Sequence, residues 1–273
     1  MAIFKFGCIG CPVAIASPQL YRSRPDDERW RRKVSALDRF SIVLVGTTHP
    51  GNIGAAARAM KTMGLTRLKL VNPAHFPSAE ATARASGADD VLARCEVFDS
   101  LADALADVRW AVATTARDRE LQWPQYTPRR FAEHSFAELP GVDVAVVFGR
   151  ESSGLSNDEL NLCNAALRIP ANPQYSSLNL AMAVQLVAYE LSQNAPTQAA
   201  PPASVDPLAT QIELGRLNEH LLSVMAQVGY YDPERPKMLV KRLRRMLAKA
   251  GLTTSEVRIL RGLLTAVSAR NES

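Results

Sequence analysis

The chain has 273 residues, of which 47% are apolar, enough for a catalytic domain and a smaller second unit. Lys and Arg outnumber Asp and Glu by 32 to 27, which favours polyanionic partners without requiring one. This composition excludes a disordered chain, and the lack of an apolar run near ~20 residues excludes a membrane span.

Residues 1–36 show no sustained helical or strand period and end in the charged stretch RSRPDDERWRRK. We therefore predict a loosely ordered extension. The first residues are similar to a weak signal peptide, but Gly and Pro interrupt the apolar stretch, so we expect a cytoplasmic protein. Cys8 and Cys11 form a lone CxxC without the further ligands of a zinc site, and no metal is expected.

From residue 37 onward, short apolar runs alternate with helical periods. The predicted strands are FSIVLV, RLKLV, CEVF, RWAVAT, VDVAVVF and AALRI. The predicted helices span 51–63, 78–93, 100–106, 128–138, 156–163 and 177–192. Apolar strands separated by helices are typical of a parallel sheet covered on both faces, so residues 37–193 are predicted to form an α/β domain.

The stretch 194–207 is rich in Pro, Ala and polar residues and is interpreted as a linker. Beyond it, 208–273 is predicted to form a small all-helical domain with helices at 208–229, 234–250 and 253–269. Its core is predicted from helical spacing to contain Leu214, Leu217, Leu221, Leu222 and Met225, with Leu239, Leu243, Met246 and Leu247. Since so small a bundle is marginal alone, we expect it to pack on a partner subunit.

Four loops follow predicted strands and are rich in Gly, Ser, Asn and Arg: GTTHPGNIG, TARDRELQW, GRESSGLS and PANPQYSSLN. Ligands of open parallel sheets bind at the carboxyl ends of the strands, so the four loops predict one shared site. The first loop is neither GxGxxG nor GxxxxGK[ST], which argues against a dinucleotide-dependent oxidoreductase and an ATP-binding loop.

The helix that follows the first loop has an apolar stripe of Ile53, Ala56, Ala57 and Met60. Arg58 points away from that stripe, among small residues that would allow another surface to approach. We expect this side to face a ligand or a second protomer.

Two later loops have recognisable helix starts. Ser156 and Glu159 form an S-x-x-E capping box, which leaves the residues between Gly149 and Gly154 to bend close to a ligand. Ser177 is predicted to be the N-cap of the following helix, whereas capping does not explain Asn179.

Three segments, PGNIGAAARAMKTMG, VVFGRESSGLS and RIPANPQYSSLNLAMAVQLVAYEL, resemble the motifs of the SPOUT-superfamily RNA ribose 2′-O-methyltransferases of the TrmH class. Within that class, TTARDR and the helical tail are similar to the TrmJ subfamily. The likeness spans about residues 37–270. It implies a sheet with a deep C-terminal trefoil knot, S-adenosylmethionine as cofactor, and a homodimer in which two protomers complete each site.

The resemblance also implies roles for individual residues. Its motif positions place Asn52, Arg58, Glu151, Ser177 and Asn179 in the catalytic site. The cofactor-lining positions are Thr114, Thr115, Gly149, Gly154, Ile169, Ser177 and Leu178. Arg117 and Arg119 are expected to face RNA phosphates, and the basic tail helix adds Lys237, Lys241, Arg242, Arg244, Arg245 and Lys249.

The implied reaction is methyl transfer to the ribose 2′-hydroxyl of tRNA, with nucleotide 32 of the anticodon loop as the expected target. Arg58 is either the base or an electrostatic stabiliser, and a guanidinium normally keeps its proton. Two alternatives remain at this point: 2′-O-methylation of ribosomal RNA, and a non-catalytic RNA-binding protein on the same fold.

Overall fold

The computed structural model describes residues 36–116, 124–196, 206–235 and 238–271. Its strands are Phe40–Val45 (β1), Arg67–Val71 (β2), Glu96–Phe98 (β3), Trp110–Thr114 (β4), Gln125–Tyr126 (β5), Val144–Phe148 (β6) and Ala165–Leu167 (β7). Its helices are Pro50–Met63 (α1), Ala79–Ala85 (α2), Asp89–Ala93 (α3), Leu101–Ala104 (α4), Pro128–Ala137 (α5), Asn157–Leu160 (α6), Leu180–Asn194 (α7), Gln211–Gln227 (α8), Leu239–Ala250 (α9) and Thr254–Asn271 (α10). The predicted extension 1–36 lies, except for Ala36, outside these residues.

The strands form one sheet in the order β3-β2-β1-β6-β4-β7-β5, and every pair of neighbours in it is parallel. The prediction of a parallel sheet is confirmed. All six predicted strands are present, shortened by up to two residues at their ends, and the two-residue β5 was not predicted. Because β6, β4 and β7 are adjacent, the loops that follow them leave the sheet side by side.

Both faces of the sheet are covered, as the apolar strands predicted. Alternate residues of β1 enter different cores: Ile42 and Leu44 pack with α1, α5 and α7, whereas Val43 and Val45 pack with α4 and α6. All four of these side chains are almost completely buried. This alternation is the period of two expected for a central strand.

Several predicted helices differ from those observed. The predicted helix 78–93 is divided into α2 and α3, because Ser86 and Gly87 adopt positive φ angles of 47° and 89°. The predicted helices 100–106 and 156–163 shrink to the single turns α4 and α6. The helix predicted from 177 begins at Leu180.

Helix α1 has the predicted apolar stripe: Ile53, Ala56, Ala57 and Met60 are completely buried. Its small-residue side is only partly as expected. A Cβ at Gly54 would lie 2.0 Å from the carbonyl oxygen of Ala81, so this part of the helix packs against α2 of the same chain. The small residue at Gly54 serves a close helix contact within the protomer, so the expectation of a ligand or second protomer is wrong at Gly54, whereas Arg58 on the same side is exposed.

The three helices α8, α9 and α10 confirm the predicted helical tail. Their ends are shifted by up to three residues, except at the start of α9, which begins at Leu239 instead of residue 234. Residues 236 and 237 are not described. Their core consists of Ala209, Leu214, Leu217, Leu247 and Val257. Met246, predicted to belong to this core, is 57% exposed. The helix period alone did not distinguish the buried face of α9 from its apolar flank.

The tail docks on the sheet domain through hydrogen bonds at the start of α8. The backbone N–H groups of Gln211 and Ile212 donate to the carbonyls of Val108 and Ala106, at 2.8 and 3.4 Å. Such first-turn donors have no partner within their own helix. The loop before β4 therefore satisfies them and holds the tail against the amino-terminal edge of the sheet.

Candidate active site

A cavity of about 400 Å³ lies at the carboxyl ends of β4, β6 and β7. Since these strands are neighbours, the loops that follow them meet, as expected for ligand sites of parallel sheets. All seven residues predicted to surround a cofactor line this cavity: Thr114, Thr115, Gly149, Gly154, Ile169, Ser177 and Leu178.

The loop after β6 is closed on itself by two backbone hydrogen bonds between Arg150 and Gly154, at 2.9 and 3.2 Å. A Cβ at Gly149 would lie 2.3 Å from the carbonyl carbon of Gly154, so no side chain fits there. Gly154 has a φ of +69°, which a residue with a side chain rarely adopts. These two glycines fold the loop tightly enough for its backbone to form one wall of the cavity.

Arg150 supports this loop through an ion pair that no sequence motif indicates. Its guanidinium donates two hydrogen bonds to the carboxylate of Glu159, at 2.9 and 3.0 Å. Glu159 also accepts from the backbone of Ser156 at 2.7 Å and completes the predicted capping box, which is confirmed. The side chain of Arg150 lies beside Gly46, where a Cβ would be 2.8 Å from its Nε. Gly46 also has a φ of +59°, so a larger residue at that point would be strained and would displace Arg150.

Three motif residues form one hydrogen-bonded chain beside the cavity. The Asn52 amide donates to the Glu151 carboxylate at 2.9 Å, and the Asn179 amide donates to Oδ1 of Asn52 at 3.0 Å. Glu151 accepts further hydrogen bonds from the backbone and hydroxyl of Thr48, both at 3.1 Å, and from the backbone of His49 at 3.4 Å. The loops after β1 and β6 and the start of α7 are thereby joined.

These contacts determine the charge of the carboxyl group. Burial raises the pKa of Glu151, but the hydrogen bonds donated by Asn52, Thr48 and His49 outweigh it and hold the pKa below its usual value. Glu151 is therefore a fixed anion at neutral pH. Its role in this geometry is to orient Asn52 and the first loop.

The structure assigns helix capping differently from the sequence. Asn179, not Ser177, is the N-cap of α7: its Oδ1 accepts from the N–H groups of Ala181 and Met182, at 2.9 and 3.4 Å. The expectation that Ser177 caps the helix is wrong, and so is the view that capping leaves Asn179 unexplained. Ser177 is exposed and lines the cavity instead.

Arg58 lies apart from this cluster within the protomer. It is six residues beyond Asn52 on α1, which turns its side chain roughly 120° away from Asn52 around the helix. The residue is exposed, it does not line the cavity, and its guanidinium makes no hydrogen bond or ion pair within the described residues. The structure thus brings together Asn52, Glu151 and Asn179 but leaves Arg58 free to meet another molecule.

The predicted RNA-contacting residues are only partly described. Arg117, Arg119 and Lys237 lie outside the described residues. On α9, Arg242 is exposed, and Lys241 makes an ion pair with Asp158 at 3.1 Å across the junction with the sheet domain. Arg245 is half-buried and already interacts with another group of the protein. Arg242 therefore presents the most accessible charge of these three.

Within the described ranges, no three His, Cys, Asp or Glu side chains are grouped as metal ligands. Of the helices given above, none combines the length and the apolar character that crossing a membrane requires.

Comparison with known families finds two matches along the chain. The sequence model of the SpoU rRNA methylase family matches residues 39–189. The model of the tRNA methyltransferase TrmJ C-terminal domain matches residues 212–273. The first match contains the sheet and cavity, and the second contains the three tail helices.

Curated relatives and solved structures give the same result. The tRNA (cytidine/uridine-2′-O-)-methyltransferase TrmJ of Cronobacter sakazakii is 46% identical over 243 residues, covering 86% of this chain and 99% of the relative. The tRNA (cytidine/uridine/adenosine-2′-O-)-methyltransferase TrmJ of Pseudomonas aeruginosa is 44% identical and covers 84% and 93%. The crystal structure of TrmJ from Z. mobilis ZM4 is similar with a TM-score of 0.74 and 38% identity, covering 84% of this chain and 98% of that one.

Proposed function

The chain belongs to the SpoU rRNA methylase family, and we propose that it transfers a methyl group from S-adenosylmethionine to a ribose 2′-hydroxyl of tRNA. The chain spans nearly the whole length of relatives named tRNA 2′-O-methyltransferases. The observation that carries the proposal is the hydrogen-bonded chain Glu151–Asn52–Asn179, which joins three motifs at the rim of one cavity.

The cavity suits S-adenosylmethionine in size and in the character of its walls. Its volume falls in the range of small-molecule sites. The buried Leu155, Leu160 and Leu167 offer an apolar wall for a nucleobase, and exposed serines such as Ser152 and Ser177 offer hydroxyls for polar groups. The cofactor would supply an electrophilic methyl group carried on a sulfonium sulfur.

The protein then has to position the ribose and stabilise its hydroxyl as the proton leaves. A guanidinium keeps its proton at neutral pH, so we infer that Arg58 stabilises the developing alkoxide while the hydroxyl proton passes to solvent water. Ser177 and Asn179 would hold the cofactor and the ribose. Asn52 and Glu151 would fix the loops that hold them, because their hydrogen bonds join the loops after β1 and β6 to the start of α7.

This role for Arg58 requires a second protomer, because the side chain is turned away from the cluster of its own chain. We propose a homodimer in which Arg58 of each protomer reaches the cavity of the other. Helix α7 supports this arrangement: Met182, Leu186 and Tyr189 are 62%, 42% and 46% exposed and lie on one side of the helix at i, i+4 and i+7. An apolar stripe beside the site fits a protomer contact.

The proposed division of the chain is a methyltransferase domain at 37–193, a linker at 194–207 and a helical domain at 208–273 that binds tRNA and contributes to dimerisation. The match of the TrmJ C-terminal domain to residues 212–273 supports it. Arg117, Arg119, Lys241, Arg242 and Arg245 are the proposed contacts to RNA phosphates. A tRNA-modifying enzyme would work in the cytoplasm, and nucleotide 32 is the proposed target.

The proposed fold includes a deep trefoil knot in the C-terminal part of the sheet domain. The strand order supports it, because β6 is inserted between β1 and β4 and β7 between β4 and β5. Mechanical stretching of a single molecule from its ends tests the knot: a tightened knot leaves the unfolded chain shorter than its residue count requires.

The experiment that tests the function is methyl transfer to unmodified tRNA from isotopically labelled S-adenosylmethionine. The expected result is one 2′-O-methylated nucleotide at position 32, mapped by mass spectrometry of nuclease fragments. A parallel reaction contains ribosomal RNA instead of tRNA, because the family is named for rRNA methylases. If calorimetric titration with S-adenosylmethionine detected no binding, the proposed methyltransferase activity would be excluded.

A further inference from the structure

A second cavity of about 330 Å³ lies between the sheet domain and the helical tail. Its walls come from α4 and the turn after it, from the loop before β7, and from α8 and α9. These segments precede β4 and β7, so the cavity opens at the amino-terminal edge of the sheet, opposite the first cavity. Residues of the first site do not line it.

One buried amide oxygen in the wall of this cavity has no hydrogen-bond partner among the described residues. Asn218 is 2% exposed, and its Oδ1 makes no hydrogen bond within the described residues. A buried acceptor without a hydrogen bond destabilises the fold, so a ligand or an ordered water that donates to it would remove that cost. An amide offers one acceptor and two donors side by side, the pattern that pairs with the edge of a nucleobase.

The other walls divide into an apolar part and a charged part. Leu105, Leu162 and Leu247 provide apolar surface against which a planar ring can lie. Arg244 is half-buried and makes no ion pair within the described chain, although it lines the cavity. A guanidinium in this position matches the geometry of a phosphate.

Three further charged residues line the cavity. Arg216 is exposed on α8 and adds a second positive charge. Asp103 and Glu219 are also exposed, and the Asp103 carboxylate accepts a hydrogen bond from the hydroxyl of Ser100 at 2.5 Å. Carboxylates at the rim suit ribose hydroxyls and exocyclic amines as donors. The set of groups therefore matches a base, a sugar and a phosphate together.

We propose that the second cavity binds a nucleotide, with the base against the leucines and the Asn218 amide and the phosphate on Arg244. The nucleotide is either an unpaired residue of the bound RNA or a free nucleotide. The RNA source rests on the proposed function. The cavity would then give the enzyme a recognition point separate from the methylated nucleotide, at the opposite edge of the sheet.

The test uses full-length wild-type protein, Asn218→Leu and Arg244→Ala, with Arg261→Ala as a control that removes the same charge from an exposed residue of α10 without a described side-chain partner. The first measurement is calorimetric titration with the four nucleoside 5′-monophosphates, while S-adenosylhomocysteine saturates the first cavity. The second is equilibrium binding of unmodified tRNA at several salt concentrations.

For an RNA nucleotide, we expect Asn218→Leu to weaken tRNA binding about tenfold without changing its salt dependence, because no charge is lost. Arg244→Ala should weaken binding and lower the salt slope by about one. For a free nucleotide, both variants should lose monophosphate binding and keep tRNA binding. Either result supports the proposal.

The proposal is overturned if Asn218→Leu binds every monophosphate and tRNA as the wild type does. In that case leucine should only raise the melting temperature, since it removes a buried amide oxygen that has no hydrogen bond within the described residues. Methyl transfer by the wild-type protein is measured in the same preparation. Its absence would count against the proposed function alone, because the titrations do not depend on turnover.

Discussion

The guanidinium of Arg58 and the carboxylate of Glu151 differ in their hydrogen bonding and exposure, although both belong to motifs of the same proposed site. Glu151 accepts hydrogen bonds from three residues and is held in one orientation. Arg58 is exposed on α1 without a side-chain partner among the described residues. A group that stabilises charge only during the reaction has no need of a partner in the resting protein.

Replacement of Arg58 should therefore separate catalysis from folding. We expect Arg58→Ala to lower the single-turnover rate of methyl transfer by about 100-fold or more, the usual cost of removing a donor that stabilises an oxyanion. The melting temperature and the affinity for S-adenosylmethionine should stay nearly unchanged. Arg58→Lys is the matched control, since it keeps the charge and loses the planar fork. A near-normal rate for Arg58→Ala would show that another group stabilises the hydroxyl.

Glu151 leads to a prediction about pH. Its pKa is lower in the folded protein than its usual value, so its ionisation stabilises the fold at neutral pH. This contribution is present above the unfolded pKa and is lost as the pH falls through the folded pKa, from about pH 5 downward. We expect Glu151→Gln to have a smaller loss of unfolding free energy than the wild type between pH 5 and pH 3, measured by urea denaturation.

The control for that measurement is Glu133→Gln, which changes an exposed carboxylate on α5 without a described hydrogen-bond partner. Its pH dependence should follow the wild type. Asn52→Ala should resemble Glu151→Gln in part, because it removes the donor at 2.9 Å. Equal slopes in the wild type and Glu151→Gln would contradict the assigned cause.

Helix α1 was predictable in its buried face and not in its neighbours. The period of 3.6 identified Ile53, Ala56 and Met60 because burial against a sheet requires that spacing. The same pattern has no information about which element covers the remaining sides. The small residue Gly54 indicates, from sequence alone, the approach of a ligand or a second protomer, and the structure shows the backbone of α2 in that place.

The contact at Gly54 gives a stability prediction. A Cβ there would lie 2.0 Å from a backbone carbonyl, so Gly54→Ala has to push α1 and α2 apart. We expect a loss of about 1–3 kcal/mol in unfolding free energy, as for overpacked cores. Gly262→Ala on α10 is the matched control. Among the described residues, no atom outside its own helix backbone lies within 4 Å of the added Cβ, and alanine in a helix should stabilise by about 0.5–1 kcal/mol.

Denaturation curves of the two alanine variants test this difference directly. Opposite signs are expected from the same chemical change, one in a close helix contact and one on an open helix surface. If Gly54→Ala were as stable as the wild type, the two helices would have to be farther apart than the structure has them.

The start of α7 shows a second limit of sequence patterns. Ser177 and Asn179 are both good capping residues, and propensity does not choose between them. The choice depends on a contact distant in sequence, because an amide has separate acceptor and donor groups. Asn179 uses the acceptor on its own helix and the donor on Asn52. A capping rule applied to one segment contains no such information.

Across the whole chain, strand positions followed from apolar runs, while the order of the strands did not. Apolar runs identify β1 and β6, which are buried along their whole length, whereas β2 alternates its leucines with Arg67 and Lys69. Which strand lies beside which depends on connections far apart in sequence. The insertion of β6 between β1 and β4 brings the site loops together, and it came from the structure.

Asn164 connects the sheet domain with the helical tail, and no sequence motif indicates this contact. This residue is 5% exposed and precedes β7. Its Oδ1 accepts from the backbone of Ala111 at 2.8 Å and from the side chain of Gln211 at 2.9 Å, while its Nδ2 donates to the carbonyl of Ala248 at 2.7 Å. A single amide thus connects β4 with the first turn of α8 and the last turn of α9.

Replacement of this amide should loosen the tail while leaving the cofactor site intact. Asn164→Leu leaves buried backbone groups of Ala111 and Ala248 without partners, at about 1–3 kcal/mol each. We expect faster hydrogen exchange at the starts of α8 and β4, unchanged affinity for S-adenosylmethionine and a higher KM for tRNA. Gln211→Leu, which removes one of the three bonds, should have the same effects in smaller degree.

The ion pair between Lys241 and Asp158 provides the comparison, because it crosses the same junction at the surface. Exposed pairs contribute about 0.2–1 kcal/mol, so Asp158→Asn should leave exchange at α8 near the wild-type rate. If Asn164→Leu also left exchange and the KM unchanged, the helical tail would have to be held by its apolar contacts alone. The buried amide would then contribute to the packing of β7 and not to the orientation of the RNA-binding helices.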